Sequence, residues 1–214
     1  MKAAIFGNGA YEDAKFYANY LKQYQPDCIL CADGGIKVML ALGIIPDVLL
    51  GDFDSIAAED LEQMKYKTKV VTYEKRKDFT DVQLCMQYAI EQKCTELVLF
   101  GVLGTRADHS LVNIYLLKYA FDNGVAAKIV NEYNEIFVME KQVTLDGVEK
   151  KTISVLPYSD VISGISFSGM GYPLKDAEMK KENPYGVSNY ACADRVEIEV
   201  KQGTAIIVIT EDAF

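Results

Sequence analysis

The sequence predicts an α/β fold in two parts: an N-terminal parallel-sheet three-layer α/β domain at residues 1–131, then a small all-β sandwich or barrel at residues 132–214. Two observations favour this division. Short apolar runs alternate with segments of helical periodicity through the first two thirds of the chain. Past about residue 133 the helical period disappears and turn-forming residues become frequent.

The first part alternates strands with helices, and strands rich in Val, Ile and Leu in that arrangement are typical of a parallel sheet covered on both faces. The predicted strands are Lys2–Phe6, Cys28–Cys31, Val48–Leu50, Lys69–Thr72, Glu96–Phe100 and Ala126–Val130. The predicted helices are Tyr11–Leu21, Ile36–Leu42, Ala57–Met64, Asp81–Glu91 and Ser110–Phe121.

The second part contains short strand candidates separated by turns such as Leu145-Asp146-Gly147 and Gly169-Met170-Gly171. This spacing is typical of an antiparallel sandwich or barrel. The predicted strands are Ile136–Met139, Thr152–Leu156, Val161–Phe167, Val196–Val200 and Thr204–Ile209. We expect the domain boundary near Asn131–Asn134.

Composition excludes several classes of partner. The 22 Lys and Arg residues against 31 Asp and Glu residues give a net charge of -9, which argues against nucleic acid and against an anionic membrane surface. We find neither a signal peptide nor an apolar run long enough to cross a bilayer.

Cys28-x-x-Cys31 falls in a predicted strand, where alternation points the two thiols to opposite faces. We therefore expect structural thiols in a reduced, cytoplasmic protein.

Ligands of parallel sheets bind beyond the carboxyl ends of the strands, and the first polar cluster at such an end is Asp33-Gly34-Gly35. Two glycines let the backbone approach a ligand closely, and the following helix offers free N–H groups to an anion. The alternative is that Asp33 or a neighbour only caps the helix.

The second cluster is Gly51-Asp52-Phe53-Asp54-Ser55, after the third strand. Asp52 and Asp54 can present hard oxygens to one Mg²⁺, which commonly takes one or two protein carboxylates together with substrate phosphates. An acidic turn that caps the next helix is the alternative.

The third cluster, Lys75-Arg76-Lys77-Asp78-Phe79-Thr80-Asp81, precedes a long helix. Cations beside carboxylates suit a metal-bound polyphosphate, because the carboxylates bind the metal and the cations bind phosphate oxygens. The alternative is a solvated charge run in which Thr80 or Asp81 caps the helix.

The fourth cluster, Gly101 to His109, follows the fifth strand and contains Arg106, Asp108 and the only histidine. His109 could serve acid–base chemistry or simply make structural hydrogen bonds. The chain has neither a Gly-x-Ser-x-Gly elbow nor a Walker P-loop, so a nucleotide has to bind by another scheme.

These clusters, in this order, resemble thiamine pyrophosphokinase. The motifs that carry the resemblance are Asp33-Gly34-Gly35, Gly51-Asp52-Phe53-Asp54-Ser55, Lys77-Asp78-Phe79-Thr80-Asp81, Gly104-Thr105-Arg106-Ala107-Asp108-His109 and Tyr185-Gly186-Val187-Ser188-Asn189. The resemblance runs from about residue 25 to the end of the chain.

The resemblance implies a homodimeric enzyme that transfers the pyrophosphoryl group of ATP to the hydroxyl of thiamine with Mg²⁺, its active site lying at the subunit interface. It assigns catalytic and metal roles to Asp52, Asp54 and Asp78. It assigns nucleotide and phosphate contacts to Asp33, Gly34, Gly35, Lys77, Thr80, Asp81, Arg106, Asp108 and His109. It assigns thiamine contacts to Tyr185, Ser188 and Asn189.

The chain departs from the family in two places. Its basic run Lys75-Arg76-Lys77 is unusually rich, and it lacks the tryptophan that some relatives place near the thiamine rings, so Tyr172, Tyr185 or Tyr190 would supply the aromatic contact. Two other functions stay open from the residues alone: a Mg²⁺-dependent phosphohydrolase and a non-catalytic binder of thiamine or thiamine diphosphate.

Overall fold

The computed structural model describes residues 1–53, 56, 61, 64, 66–73 and 78–211. Contacts between Cα atoms divide the chain into two compact units, Met1–Glu132 and Tyr133–Phe214. Asp54 and the basic residues Lys75, Arg76 and Lys77, all in the predicted site clusters, lie outside the described residues.

The first unit is built on six parallel strands among its described residues. Their bounds are β1 Lys2–Phe6, β2 Cys28–Ala32, β3 Val48–Gly51, β4 Lys69–Thr72, β5 Glu96–Phe100 and β6 Ala126–Val130. The order across the sheet is β6-β5-β1-β2-β3-β4. The chain therefore leaves β1 in one direction and returns to its other side at β5, which places the topological switch point between β1 and β5.

Four helices of the described residues accompany this sheet: α1 Ala14–Tyr24, α2 Ile36–Ala41, α3 Asp81–Glu91 and α4 Ala107–Asp122. Helix α1 begins three residues later than its pattern predicts, because the side chain of Asp13 caps it by accepting a hydrogen bond from the Lys15 N–H at 2.9 Å. Most of the predicted helix Ala57–Met64 lies outside the described residues; Leu61 and Met64 are both helical.

An aromatic cluster fills the core between α1 and the sheet. The ring of Tyr17, fully buried, lies 5.5 Å from that of Phe100 at 85°, and Phe6 lies 5.0 Å from Phe100. Burying each such side chain contributes about 1.5–3 kcal/mol. The carboxyl ends of β1 and β5 are therefore anchored directly beneath their loops.

The second unit is antiparallel throughout its described pairs. Its strands are β7 Asn134–Asp146, β8 Thr152–Pro157, β9 Val161–Ser168, β10 Ala177–Lys180, β11 Asn189–Tyr190 and β12 Arg195–Thr210. One face of β12 is buried, with Val196, Ile198 and Val200 inward, as the period of two requires.

Two strands that the sequence predicts as separate form the single strand β12. Val196–Val200 and Thr204–Ile209 form one strand whose register shifts between Val200 and Ala205, where Gly203 has φ +90. The first half pairs with β9 and the second with β8, while β7 follows it on both sides of the shift. A bulged strand shared in this way lets a small antiparallel unit close around one core.

The predicted fold class is confirmed: a parallel α/β unit precedes an antiparallel β unit. Within the described part of the chain, no helix is both long and apolar enough to cross a membrane.

Candidate functional site

A cavity of about 490 Å³ opens at the carboxyl edge of the parallel sheet. The loops after β1 and β5 border it, so it lies at the topological switch point, where open α/β sheets bind their ligands. Its lining includes three of the four predicted clusters in part. Of the predicted site residues it is lined by Asp33, Thr80, Asp81, Arg106 and His109.

The loop after β1 is tied to the loop after β5 by backbone hydrogen bonds. Gly7 N–H donates to Phe100 O at 2.8 Å, Gly9 N–H to Gly101 O at 2.6 Å, and Ala10 N–H to Leu103 O at 2.9 Å. A Cβ on Gly9 would lie 2.3 Å from Leu103 O, so only glycine permits this approach. The cavity rim between β1 and β5 is thus a single hydrogen-bonded frame.

The hydroxyl of Tyr11 also joins the ends of β1 and β5. It donates to Gly7 O at 2.8 Å and lies 3.2 Å from Phe100 O. Gly101 has φ +57, and a Cβ there would lie 2.1 Å from the Tyr11 ring. Burial raises the pKa of Tyr11 well above its ordinary value, so its hydroxyl remains a donor at every physiological pH.

Asp33 links the ends of β2 and β3. Its Oδ1 accepts a hydrogen bond from the Phe53 N–H at 3.1 Å. Both residues have left-handed backbones, with φ 40 at Asp33 and φ 61 at Phe53, and such strain in non-glycine residues concentrates at functional sites. Asp33 lines the cavity. Asp52, half-buried next to Phe53, follows the adjacent strand β3 and is not part of the cavity lining.

The start of α3 supplies Thr80 and Asp81 to the cavity. Thr80 is also the helix cap, because its Oγ1 accepts a hydrogen bond from the Gln83 N–H at 3.2 Å. The capping alternative therefore describes one interaction of Thr80 correctly, and Asp81 adds an acidic residue in the first turn. Asp78 is exposed, two residues before the cap, and does not line the cavity.

The start of α4 carries a bidentate ion pair. Arg106 Nε lies 3.1 Å from Asp108 Oδ1, and Arg106 Nη2 lies 2.5 Å from Asp108 Oδ2. Its hydrogen bonds to Arg106 lower the pKa of Asp108 from 3.8 to about 2, and the same pairing raises the pKa of Arg106. Arg106 and His109 line the cavity and are exposed, so a cation faces the ligand space.

Two groups that the sequence analysis missed also line the cavity. Asn8 and Gly9 follow β1, and their Gly7-Asn8-Gly9 pattern is a signal that could have identified them. Asn113 lies in α4, is 4% exposed, and donates from Nδ2 to Val102 O at 2.7 Å. No local pattern marks Asn113, because only the packing of α4 against the β5 loop brings it to the cavity.

Gly34 and Gly35, which follow β2, allow the backbone to pack closely against its neighbours. A Cβ on Gly34 would lie 2.5 Å from Asn8 Nδ2, and one on Gly35 would lie 2.7 Å from Phe6 O. Gly34 and Gly35 are buried and outside the cavity lining. They bring the loop after β2 against the loop after β1, which shapes the cavity wall.

The second unit holds the three residues predicted to contact thiamine. Tyr185 is exposed and donates from its hydroxyl to Glu178 O at 2.5 Å. Ser188 is exposed, has φ 56, and donates its N–H to Ser154 Oγ at 3.0 Å. Asn189 is only 4% exposed and hydrogen-bonds to the backbone of Tyr172 and Tyr190.

The described carboxylates that follow β2, β3 and β4 are Asp33, Asp52, Asp78 and Asp81, and such groups can bind a metal ion. Carboxylate oxygens fit Mg²⁺, which keeps several waters and needs few protein ligands. Among the described side chains, no three His, Cys, Asp or Glu residues already cluster as a complete metal site.

A parallel α/β unit with a cavity at its switch point, followed by an antiparallel β unit, is the arrangement of a two-unit α/β protein with a candidate ligand site. Comparison with known proteins identifies the family. Residues 18–129 match the model of the thiamin pyrophosphokinase catalytic domain, and residues 136–205 match that of the vitamin B1 binding domain. The chain belongs to the thiamin pyrophosphokinase family.

Individual relatives agree with this assignment. The thiamine pyrophosphokinase of Bacillus subtilis strain 168 is 29% identical over 184 residues, covering 84% of this chain and 86% of the relative. A crystal structure of thiamine pyrophosphokinase from Bacillus subtilis superposes with a TM-score of 0.87 at 25% identity, covering 99% of this chain and 100% of that one. Thiamin pyrophosphokinase from Candida albicans shares the fold, with a TM-score of 0.85 at 14% identity over 99% of this chain and 89% of its own.

The family resemblance inferred from the sequence motifs is confirmed by these matches. The roles assigned to individual site residues remain predictions.

Proposed function

We propose that this protein catalyses the transfer of a pyrophosphoryl group from ATP to the hydroxyl of thiamine, giving thiamine diphosphate and AMP. The observation that carries the proposal is the cavity at the β1–β5 switch point, within the unit that matches the catalytic-domain model. The comparisons favour this enzyme over a phosphohydrolase or a non-catalytic binder, because every relative named above is a thiamine pyrophosphokinase.

In the proposed reaction the thiamine hydroxyl oxygen forms a bond to the β-phosphorus of ATP. The bond between that phosphorus and the oxygen bridging to the α-phosphate breaks, AMP leaves with the electron pair, and the hydroxyl proton is released. Most of the rate enhancement then comes from holding the hydroxyl in line with the breaking bond.

We place the triphosphate in the cavity. Arg106 and His109 face it, and the first turn of α4 offers backbone N–H groups with the positive end of a helix dipole. Arg106 is paired with Asp108, so a bound phosphate would either replace Asp108 as its partner or share the guanidinium with it. Asp33, Thr80 and Asp81 also line the cavity. Lys77, Gly34 and Gly35 are further contacts that the resemblance predicts, although Gly34 and Gly35 are outside the cavity lining.

A triphosphate in this cavity lies near the carboxylates of Asp33 and Asp81, so a cation is needed to offset their repulsion. Two unit charges 4 Å apart interact by roughly 4 kcal/mol at an effective dielectric constant of 20, which is repulsive between carboxylate and phosphate. Mg²⁺, when bound, neutralises phosphate charge and polarises the β-phosphoryl group. Asp52, Asp54 and Asp78 would hold it, as the sequence motifs predict, with Asp33 at the same sheet edge.

We assign thiamine binding to the second unit, residues 132–214, and nucleotide binding to residues 1–131. The match of residues 136–205 to a vitamin B1 binding model supports this division. Tyr185 and Ser188 are exposed there, so they are available to a ligand. Thiamine is a cation, and the net charge of -9 favours its approach.

We further propose a cytoplasmic homodimer whose active site lies at the subunit interface, with no nucleic-acid or membrane partner. Each unit exposes large apolar side chains that a partner subunit could cover. On α4 these include Leu111 and Tyr115, and in the second unit Tyr172, Tyr185, Val187 and Tyr190. None of the five cysteines, all within the described residues, forms a disulfide, which suits a reducing compartment.

Product analysis tests the proposed reaction. The purified protein with ATP, Mg²⁺ and thiamine should form AMP and thiamine diphosphate in equal amounts. Formation of ADP, or release of inorganic phosphate without thiamine, contradicts the proposal and indicates a monophosphate kinase or a phosphohydrolase. Sedimentation equilibrium measures the proposed dimer independently of activity.

A further inference from the structure

Glu132, the last residue of the first unit, makes three hydrogen bonds to the segment that leads from the cavity loop into α1. Its Oε1 accepts from the Glu12 N–H at 2.7 Å and from the Asp13 N–H at 2.8 Å, and its Oε2 accepts from the Tyr17 hydroxyl at 2.7 Å. One carboxylate thus binds three donors more than 110 positions away in sequence.

The segment that Glu132 holds is continuous with the cavity wall. Asn8, Gly9 and Ala10 line the cavity, and Glu12 and Asp13 follow after one intervening residue. The near end of this loop is fixed to the β5 loop by the Gly9 and Ala10 N–H groups. The carboxylate of Glu132 fixes its far end, where α1 begins.

The charge on Glu132 is part of this arrangement. Burial tends to raise its pKa, but hydrogen bonds from the Asp13 and Glu12 N–H groups and the Tyr17 hydroxyl outweigh burial, and the net pKa is lowered. An ionised carboxylate at the N-terminal end of a helix also interacts favourably with the helix dipole. The loop is therefore held by an acceptor that stays charged.

We propose that Glu132 is a positioning residue for nucleotide binding: it holds the loop of residues 7–13 in the shape that contacts ATP. The inference rests on the proposed function, because it takes the ligand of the cavity to be ATP. Glu132 does not line the cavity and acts only through the loop.

Glu132→Ala removes both acceptor oxygens and so all three hydrogen bonds. We expect the ATP affinity, measured by isothermal titration calorimetry, to fall about tenfold and the KM for ATP to rise in parallel, while the KM for thiamine stays within twofold of wild type. Hydrogen exchange of the peptide covering residues 8–13 should accelerate. Glu132→Gln keeps an acceptor oxygen for both N–H groups and should recover most of the affinity.

Tyr17→Phe is the matched control. It removes the hydroxyl that meets Oε2 and leaves the Glu12 and Asp13 N–H groups with their acceptor. It should lower thermal stability while ATP affinity and loop exchange stay close to wild type. A purely structural role for Glu132 predicts instead that both variants lose stability and neither changes ATP affinity.

Glu132→Asp keeps the negative charge but shortens the side chain by one carbon–carbon bond, about 1.5 Å, and serves if the alanine variant does not fold. Reduced ATP affinity in this variant supports the inference. Unchanged ATP affinity in a folded Glu132→Ala or Glu132→Asp protein overturns it. A wild-type protein that binds no ATP refutes the proposed function itself, so the two failures are distinguishable.

Discussion

Asn189 and Tyr172 are joined by two hydrogen bonds that run in opposite directions. Asn189 Oδ1 accepts from the Tyr172 N–H at 2.9 Å, and Asn189 Nδ2 donates to Tyr172 O at 2.8 Å. The same Oδ1 accepts from the Tyr190 N–H at 2.9 Å. The amide of Asn189 is therefore committed to backbone groups, and its effect on a ligand would pass through the two tyrosines.

Those tyrosines form an exposed aromatic pair. Tyr172 is 65% and Tyr190 47% exposed, and their rings lie 5.7 Å apart at 81°. Aromatic faces attract cations, so this pair suits the cationic thiamine better than an isolated ring. Two predictions separate the tyrosines from the asparagine.

Tyr172→Leu should raise the KM for thiamine several-fold, by about 1 kcal/mol of lost ring contact, without changing the KM for ATP. Tyr66→Leu, at a tyrosine of the first unit that is 88% exposed, is the control and should leave both constants unchanged. Steady-state kinetics with each substrate varied in turn measures the difference. Equal thiamine constants in Tyr172→Leu and wild type would exclude this pair from the thiamine site.

Asn189→Ala should lower the free energy of unfolding by about 1 kcal/mol or more, because it leaves the partly buried backbone donors of Tyr172 and Tyr190 without their acceptor. It should also raise the KM for thiamine, since the tyrosine pair loses its fixed geometry. Urea denaturation measures the first effect and kinetics the second. A loss of stability with an unchanged thiamine KM would assign Asn189 a structural role only.

The pH dependence of activity tests the Arg106–Asp108 pair. The stabilisation that Asp108 gains from its ion pair is fully present above its ordinary pKa of 3.8. It is lost only as the pH falls toward the lowered pKa of about 2. Asp108 therefore stays ionised from pH 5 to 9. Asp108→Asn should lower kcat/KM by a constant factor across this range. If the acid side of the pH profile of kcat/KM instead differs between variant and wild type, Asp108 titrates in the working range.

Asp54→Asn tests the carboxylate most strongly implied by the sequence motif. We expect activity to fall about a hundredfold or more through weaker metal and phosphate stabilisation, with an unchanged circular dichroism spectrum. Asp122→Asn, at an exposed carboxylate that pairs with Lys118 on α4, is the charge-matched control. Full activity in the folded Asp54→Asn protein would remove Asp54 from the metal site.

Local sequence patterns predicted the parallel half of the fold closely, because each strand is a short run rich in apolar and β-branched residues with its own signal. The observed bounds of β1, β4, β5 and β6 coincide with the predicted ones. Helix α1 differs, since Tyr11 continues the apolar pattern but is used to fasten two loops. The strands β10 and β11 were missed because they are short and depend on pairing with distant segments.

The candidate site was predictable where its residues follow a strand in a recognisable motif, as Asp33 and Arg106 do. The contribution of Asn8 was not predicted: Gly7-Asn8-Gly9 marks a loop after β1, but the order of strands across the sheet decides which marked loop borders the cavity. Only with β1 between β2 and β5 does the loop after β1 lie at the switch point. Strand order is a long-range property that no local pattern reports.

Thr80 has two interpretations, a helix cap and a phosphate contact, and a single substitution separates them. Aspartate caps helices at least as well as threonine and adds a favourable charge at the helix start. Thr80→Asp should therefore keep the free energy of unfolding unchanged or raise it. If Thr80 faces phosphate, the added charge should raise the KM for ATP about tenfold or more through repulsion.

Thr80→Ala completes the test from the opposite side. Without the acceptor for the Gln83 N–H, the protein should lose about 1 kcal/mol of stability, measured by urea denaturation. Thr80→Ser keeps the hydroxyl and should behave as wild type in both stability and ATP affinity. A Thr80→Asp protein with wild-type KM for ATP would show that Thr80 only caps α3, and would place the triphosphate nearer to Arg106 and α4.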